Sequence, residues 1–494
     1  MTLCVKNLNL HVRRFCASAI KNGYLDLKTI NQNVQKMEYA VRGPIVIRAG
    51  ELERDLQNGV KLPFNEIIRA NIGDCHATGQ KPLTFLRQVL ALATDNTLFE
   101  SNLYPDDVKA KVKEFLSYCG GRSVGAYSDS AGVEIVRRHI AEFIEDRDGS
   151  PSDFRNVILS TGASESIRTV LGLLNAPGSK PPGIMIPIPQ YPIYSATIDE
   201  YGMSPIHYML DEDNQWALNI DDLEESLAKA RKTTSPKAIV IINPGNPTGS
   251  VLSRKNIEDI VKFADRERLM ILADEVYQHN IYDEDAEFVS FKKIVKELNA
   301  KVELASFFSV SKGFMGECGL RGGYCEMTNF SPEVRATMLK MLSVRLCSSI
   351  LGQIAMDCIV APPNPGDESY ELFEKEKSSV LEALKYRSKL VANTFNSMDG
   401  VSSNKVAGAM YAFPRLEIPE KAIKKAKSLG VAPDYMFAME FLETTGICVV
   451  PGSGFGQKEG THHFRMTILP PNEQIEKMMK IFKVFYKSFQ QKYA

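Results

Sequence analysis

The run Ala238-Ile239-Val240-Ile241-Ile242 holds five consecutive apolar side chains, four of them β-branched. Successive residues of a strand point to opposite faces, so a strand apolar at every position must be covered on both sides. Comparable short runs recur at Val157-Ile158-Leu159, Ile184-Met185-Ile186, Leu269 to Ala273 and Ala305 to Phe308. Between them lie stretches with apolar residues at helical spacing, such as Ser253 to Arg268. Strand and helix in alternation imply right-handed crossovers and a mostly parallel sheet sandwiched by helices, an α/β fold.

The 494 residues suffice for two or three domains. From about residue 330 onward helices dominate, including Ser378 to Phe395, with strand candidates at Gly408 to Phe413, Ile447 to Val450 and Phe464 to Ile468. This part reads as a smaller α+β domain. The expected division is an N-terminal arm over residues 1–60, a small domain from 61–120 and 361–494, and a large domain over 121–360. A polar, helix-prone arm of this kind often packs on a neighbouring subunit.

In open sheets of this type, ligands bind at the carboxyl ends of the strands. Ala163 and Ser164, Tyr191, Asn246, Asp274 and Lys312 all fall just past such ends. The small-residue turn before Ala163 offers free N–H groups and a helix dipole to an anion, or is a plain turn capped by Ser164 and Glu165. Tyr191 stacks on a flat ligand or packs on the core. Lys312 follows an apolar strand in the loop Ser309-Val310-Ser311-Lys312-Gly313; buried there, its amine loses charge easily and suits Schiff-base chemistry, whereas a solvated loop lysine does nothing. Gly73 permits close approach of a ligand or merely serves a turn. Arg465, flanked by Phe464 and Met466, needs an anionic partner, either a structural carboxylate or a ligand.

The charge balance of 59 basic and 60 acidic residues provides no field for nucleic acid or an anionic membrane, so small molecules and another subunit are the expected partners. Nine cysteines without a C-x-x-C pair suit a reducing compartment. No H-E-x-x-H occurs, and no metal site is expected. No apolar run approaches the roughly 18 residues that span a bilayer. The first acid is Asp26, after Lys6, Arg13, Arg14 and Lys21. Arg13-Arg14-Phe15-Cys16-Ala17-Ser18-Ala19 reads either as a matrix-processing site within a transit peptide over residues 1–25 or as an ordinary basic terminus. Mitochondrial matrix and cytoplasm both remain open.

Asn243-Pro244-Gly245-Asn246-Pro247-Thr248-Gly249, Ala273-Asp274-Glu275-Val276-Tyr277, Ser309-Val310-Ser311-Lys312-Gly313 with the later Arg321, and Phe464-Arg465-Met466 stand in one order. Together they resemble the class I, fold-type I aminotransferases that use pyridoxal phosphate, over about residues 65 to 490. The runs Arg69 to Asp74, Pro187 to Pro192, Ser311 to Gly319 and Val449 to Gln457 are most similar to the alanine aminotransferases. The resemblance implies that Lys312 bonds to the cofactor and later shuttles a proton, that Asp274 keeps the pyridine nitrogen protonated, and that Asn246 and Tyr277 donate to the ring oxygen. It makes Tyr191 the stacked ring. Ala163, Ser164, Ser309, Ser311 and Arg321 become the phosphate cradle, Tyr127 reaches the phosphate from the second subunit of a homodimer, and Arg465 with Gly73 holds the substrate carboxylate. Phe308 and Phe314 depart from the pattern, where a histidine and a tyrosine are expected.

Three other readings compete. A β-lyase of the same fold would share nearly all the cofactor residues. Ser309-Val310-Ser311-Lys312 fits the S-x-x-K of serine acyl enzymes, but Ser128-Asp129-Ser130 and Lys232-Thr233-Thr234 match the companion motifs imperfectly and in the wrong order. A binding protein that retains only the pocket is the third.

Overall fold

The computed structural model describes residues 25–39 and 43–494. The processing-site reading at Arg13 to Ala19 lies outside them. An eight-stranded sheet is built from β1 (Val157–Ser160), β2 (Pro182–Ile188), β3 (Ser204–Asp211), β4 (Ala217–Leu218), β5 (Ser235–Ile242), β6 (Met270–Asp274), β7 (Leu304–Ser309) and β8 (Gly323–Thr328). Their order is β1-β8-β7-β6-β5-β2-β3-β4. The central pairs β7–β6, β6–β5, β5–β2 and β2–β3 are parallel. β8 runs antiparallel to both β7 and β1. It returns through the lysine loop without a crossover helix, and a return of that kind gives antiparallel pairing.

The unbroken apolar runs divide by parity, as the pleat requires. Ile239, Ile241, Ile271 and Ala273 face helices Arg254–Glu267 and Phe291–Glu297 through Ile257, Ile260, Phe263 and Phe291. Ala238, Val240, Leu272 and Phe307 face helices Ala163–Leu174 and Ile193–Glu200 through Ile167, Val170 and Tyr194. The sheet is thus a rigid floor, and its carboxyl ends carry Ser160, Asp274 and Ser309 to one edge.

A second body of packing joins Ile45, Ala49 and Leu52 of helix Pro44–Gln57 to Ile68 and to the C-terminal part, with Phe437, Phe441, Phe482 and Phe485 at its centre. The side chains from Leu83 to Leu116 cluster elsewhere, with Leu159, Phe308, Tyr324 and Ile354. Helix Tyr370–Asn396 is 27 residues long, well beyond the Ser378 to Phe395 expected, because no breaker interrupts it. A three-stranded antiparallel sheet sets Phe464–Thr467 between Tyr411–Ala412 and Val450–Pro451. Thr467 N donates to Ala70 O at 2.8 Å, tying this sheet to the segment that leads into Gly73.

Charge also holds the large body together. Lys292 Nζ lies 2.8 Å from Glu326 Oε1 on β8, and the two side chains are 2% and 3% exposed. Ser152 Oγ accepts a further bond from the same amine at 2.8 Å. Removing one member of such a pair strands the other charge in a dry place. Lys292→Ala is expected to destabilise the chain by about 3–5 kcal/mol in denaturant unfolding. A change under about 0.5 kcal/mol would show that Glu326 finds other solvation.

Candidate active site

Asp274 is the last residue of β6 and is 4% exposed. Tyr194 Oη donates to its Oδ2 at 2.9 Å, while Oδ1 has no partner among the described residues. Burial pushes this carboxyl up to about 6, against the Tyr194 bond, the nearby Val276 backbone and the Lys312 charge, which all lower it. Tyr194 was missed by sequence reasoning. It lies in the first turn of helix Ile193–Glu200, whereas Tyr191 precedes that helix.

Lys312 sits in the loop after β7, and its Nζ donates to Gly73 O at 2.7 Å. The expectation that burial strips its charge is corrected here. Desolvation does oppose the ammonium, but Tyr411, Cys318 and Cys75 outweigh it and hold the amine above its ordinary range. Gly73 is needed for the approach: a Cβ there would lie 2.0 Å from Tyr411 Oη and 3.0 Å from Lys312 Nζ.

Arg465 is 1% exposed. Its guanidinium carbon lies 4.2 Å from the Tyr411 ring centroid and 4.7 Å from that of Phe455. Nη1 donates to Asn246 Oδ1 at 3.0 Å and Nη2 to Asn71 O at 2.8 Å, leaving Nε without a partner. Both acceptors are neutral, and no carboxylate pairs with it among the described residues. Asn246 also donates through Nδ2 to Tyr277 Oη at 3.4 Å, and Tyr277 in turn donates to Tyr411 Oη at 3.4 Å. Lys312, Asp274, Tyr277, Asn246, Gly73 and Arg465 therefore share one cleft, with Tyr411 and Asn71 added by the structure. Neither addition was legible, because each reaches the cleft by long-range packing.

A second cluster forms where helix Ala163–Leu174 begins. Gly162 has φ +80 and ψ 160, and no side chain caps the helix, so Ser164 does not play the capping role. Glu165 instead accepts from Thr161 N at 2.5 Å. Arg321 donates to Thr161 O at 3.0 Å and Cys318 O at 3.1 Å, and a Cβ on Gly162 would fall 2.3 Å from its Nη2. Ser309 pairs with Gly323, whose own Cβ position is 2.7 Å from Ala163 N. The helix start, the end of β7 at Ser309 and a guanidinium thus meet, and Ser309 and Ser311 are both buried. Tyr191 is held through its hydroxyl, 2.7 Å from that of Tyr39. Tyr127 is 76% exposed and is not brought to the cleft within one chain. Phe308 and Phe314 pack edge-on against His279 at 5.5 and 5.4 Å, and burial pushes that imidazole down to about 4.

The strained acid yields a test of the cofactor-free chain. Its folded pKa of about 6 exceeds the ordinary carboxylate value, so the cost of burying the charge is absent well below pH 4 and complete above pH 6. The difference corresponds to about 3 kcal/mol. Asp274→Asn, whose amide oxygen still accepts from Tyr194, is expected to melt higher than wild type at pH 8, the gap closing as pH falls toward 4. Coincident melting curves at pH 8 would mean that the carboxylate carries no such strain.

Comparison with known proteins fits this geometry. The family described as aminotransferase class I and II matches residues 87–482. Alanine aminotransferase 2 of Xenopus tropicalis is 53% identical over 488 residues, covering 98% of this chain and 93% of that protein. Alanine aminotransferase 1 of Homo sapiens is 51% identical over 488 residues, 97% of this chain and 98% of its own. A solved structure, the alanine aminotransferase from Pyrococcus furiosus, matches with a TM-score of 0.73 at 27% identity, over 93% of this chain and 100% of that one. No helix among the described residues is long and apolar enough to cross a membrane. A match over most of the length, on a mostly parallel sheet whose strand ends gather a lysine, an aspartate and an arginine, places the chain in the class I and II aminotransferase family, with its fold-type I architecture.

Proposed function

We propose that this chain transfers the amino group between L-alanine and 2-oxoglutarate, giving pyruvate and L-glutamate, by a ping-pong mechanism with pyridoxal 5′-phosphate. The observation that carries the reading is Arg465: a buried guanidinium with only neutral acceptors, in the cleft that holds Lys312 and Asp274. Such a charge is costly unless an anion completes it, and an α-carboxylate matches its fork. The alanine specificity is supported by the names of relatives that are about half identical over nearly their whole length.

The residues present fit the cofactor. Asp274 Oδ1, buried and unpartnered, suits a protonated ring nitrogen. The uncapped helix start at Ala163 and Ser164, with Ser309, Ser311 and Arg321, suits a dianionic phosphate. Bound pyridoxal phosphate supplies an electron sink for the substrate α-carbon. Asp274 would hold the proton on the ring nitrogen, Asn246 and Tyr277 would donate to the ring oxygen, and Tyr191 would stack on the ring. With its amine in the neutral form, Lys312 would take up the proton that leaves the substrate α-carbon. Arg465 and the backbone at Gly73 orient the α-carboxylate. Tyr127, exposed on one chain, completes the phosphate site of a second copy in a homodimer. The domain division we propose follows the packing, with helix Pro44–Gln57 and the stretch from Leu62 to Cys75 joining the chain from Leu384 onward, and the helices from 83 to 120 joining the large domain.

Purified protein with L-alanine and 2-oxoglutarate should yield pyruvate and L-glutamate in equal amounts; release of ammonia or a thiol instead would point to a lyase. Lys312→Ala should lose at least about a thousandfold in turnover while its melting curve stays that of a folded protein. Normal turnover in that variant would remove Lys312 from the reaction. Arg465→Lys keeps the charge and loses the fork, so KM for L-alanine and for 2-oxoglutarate should rise together, by roughly ten- to a hundredfold. A rise confined to one substrate would place the α-carboxylate clamp elsewhere.

A further inference from the structure

The N-terminal segment Leu25–Tyr39 meets the cleft at its last described residue. Asn31 caps the short helix Gln32–Lys36, its Oδ1 accepting from Asn33 N at 3.0 Å, and that helix packs along Ile193–Glu200. Asn33 is seated closely enough that a Cβ on Gly202 would fall 2.9 Å from its Nδ2. The segment then delivers Tyr39, whose hydroxyl shares a 2.7 Å hydrogen bond with that of Tyr191. The two rings meet edge to face, with centroids 6.3 Å apart and planes at 70°. Burial first, then Tyr39, raises the Tyr191 phenol well above its usual range, so Tyr191 keeps its hydroxyl proton in this bond.

We propose that Tyr39 is a positioning residue for the reaction: its hydroxyl fixes the tilt of Tyr191, the ring that covers the cofactor, and so couples the N-terminal segment to cofactor occupancy. This rests on the function proposed above. Stacking demands one ring orientation, and a tyrosine ring turns about two side-chain torsions. A ring already held in the bound orientation loses less freedom when the cofactor arrives, and that saving appears as affinity. The coupling is reciprocal, because whatever favours the stacked ring also favours the docked segment. A half-buried hydroxyl pair of this kind is worth about fivefold in affinity, or ~1 kcal/mol.

The test uses the full chain stripped of cofactor and titrated with pyridoxal phosphate by absorbance. Tyr39→Phe keeps the ring and should weaken binding about fivefold. Tyr191→Phe should lose a similar factor, and the double variant should lose no more than either alone, since one bond joins the two residues. In wild type, adding pyridoxal phosphate should slow amide hydrogen exchange across residues 25–39, and Tyr39→Phe should blunt that slowing with little change in thermal midpoint. Wild-type affinity and exchange in Tyr39→Phe would overturn the proposal, and so would a roughly twenty-five-fold loss in the double variant, which means two independent contacts. In either event, a wild-type protein that binds pyridoxal phosphate and transaminates leaves the proposed function standing. A wild-type protein that shows no cofactor absorbance band overturns both.

Discussion

A guanidinium enclosed by two aromatic rings and given only neutral oxygens is the constraint on which the rest of this structure depends. Burying an uncompensated cation costs several kcal/mol, and the chain meets that cost by drawing three distant segments around Arg465. Asn71 comes from the stretch after the short strand Ile68–Arg69, Asn246 from the loop after β5, and Arg465 itself from the strand Phe464–Thr467. The backbone bond between Thr467 and Ala70 keeps the first and last of these in register. One side chain thereby fastens the C-terminal part to the edge of the large sheet while its remaining N–H group stays uncommitted.

The sheet determines where everything else can go. Its central strands are buried on both faces, so their side chains have no room to choose, and these strands present polar groups to the cleft from their last residue or from the loop that follows. Asp274 is of the first kind and Lys312 of the second. Residues anchored in this way hold position without a ligand. Tyr191 and Tyr127, on connecting turns, depend on neighbours to be held.

That contrast explains what was legible in the sequence. The run Ala238 to Ile242 announced a two-sided strand because its pattern admits no other solution, and the order of the strand-end motifs located Asp274, Asn246 and Lys312. The burial of Lys312 was also readable, yet its charge was not. The groups near its amine, Tyr411, Cys318 and Cys75, are brought there by folding rather than by sequence distance. Tyr411 and Tyr39 were invisible for the same reason. The helices from Leu83 to Leu116 pack with Leu159, Phe308 and Ile354, neighbours that amphipathic spacing does not name, because it shows that a face is buried without showing against what.

The unpartnered oxygen of Asp274 bears on how much of this protein a cell would keep. With the cofactor proposed above, a chain that carries a strained carboxylate until a ring nitrogen meets it would be least robust when newly made and unloaded. Any ligand that binds only the folded state adds stability in proportion to the logarithm of its concentration over its dissociation constant. Scarcity of the vitamin-derived cofactor would then act twice, once by idling molecules and again by exposing them to proteases, because small losses in stability shift steady-state abundance severalfold. Abundance of the polypeptide itself would track cofactor supply.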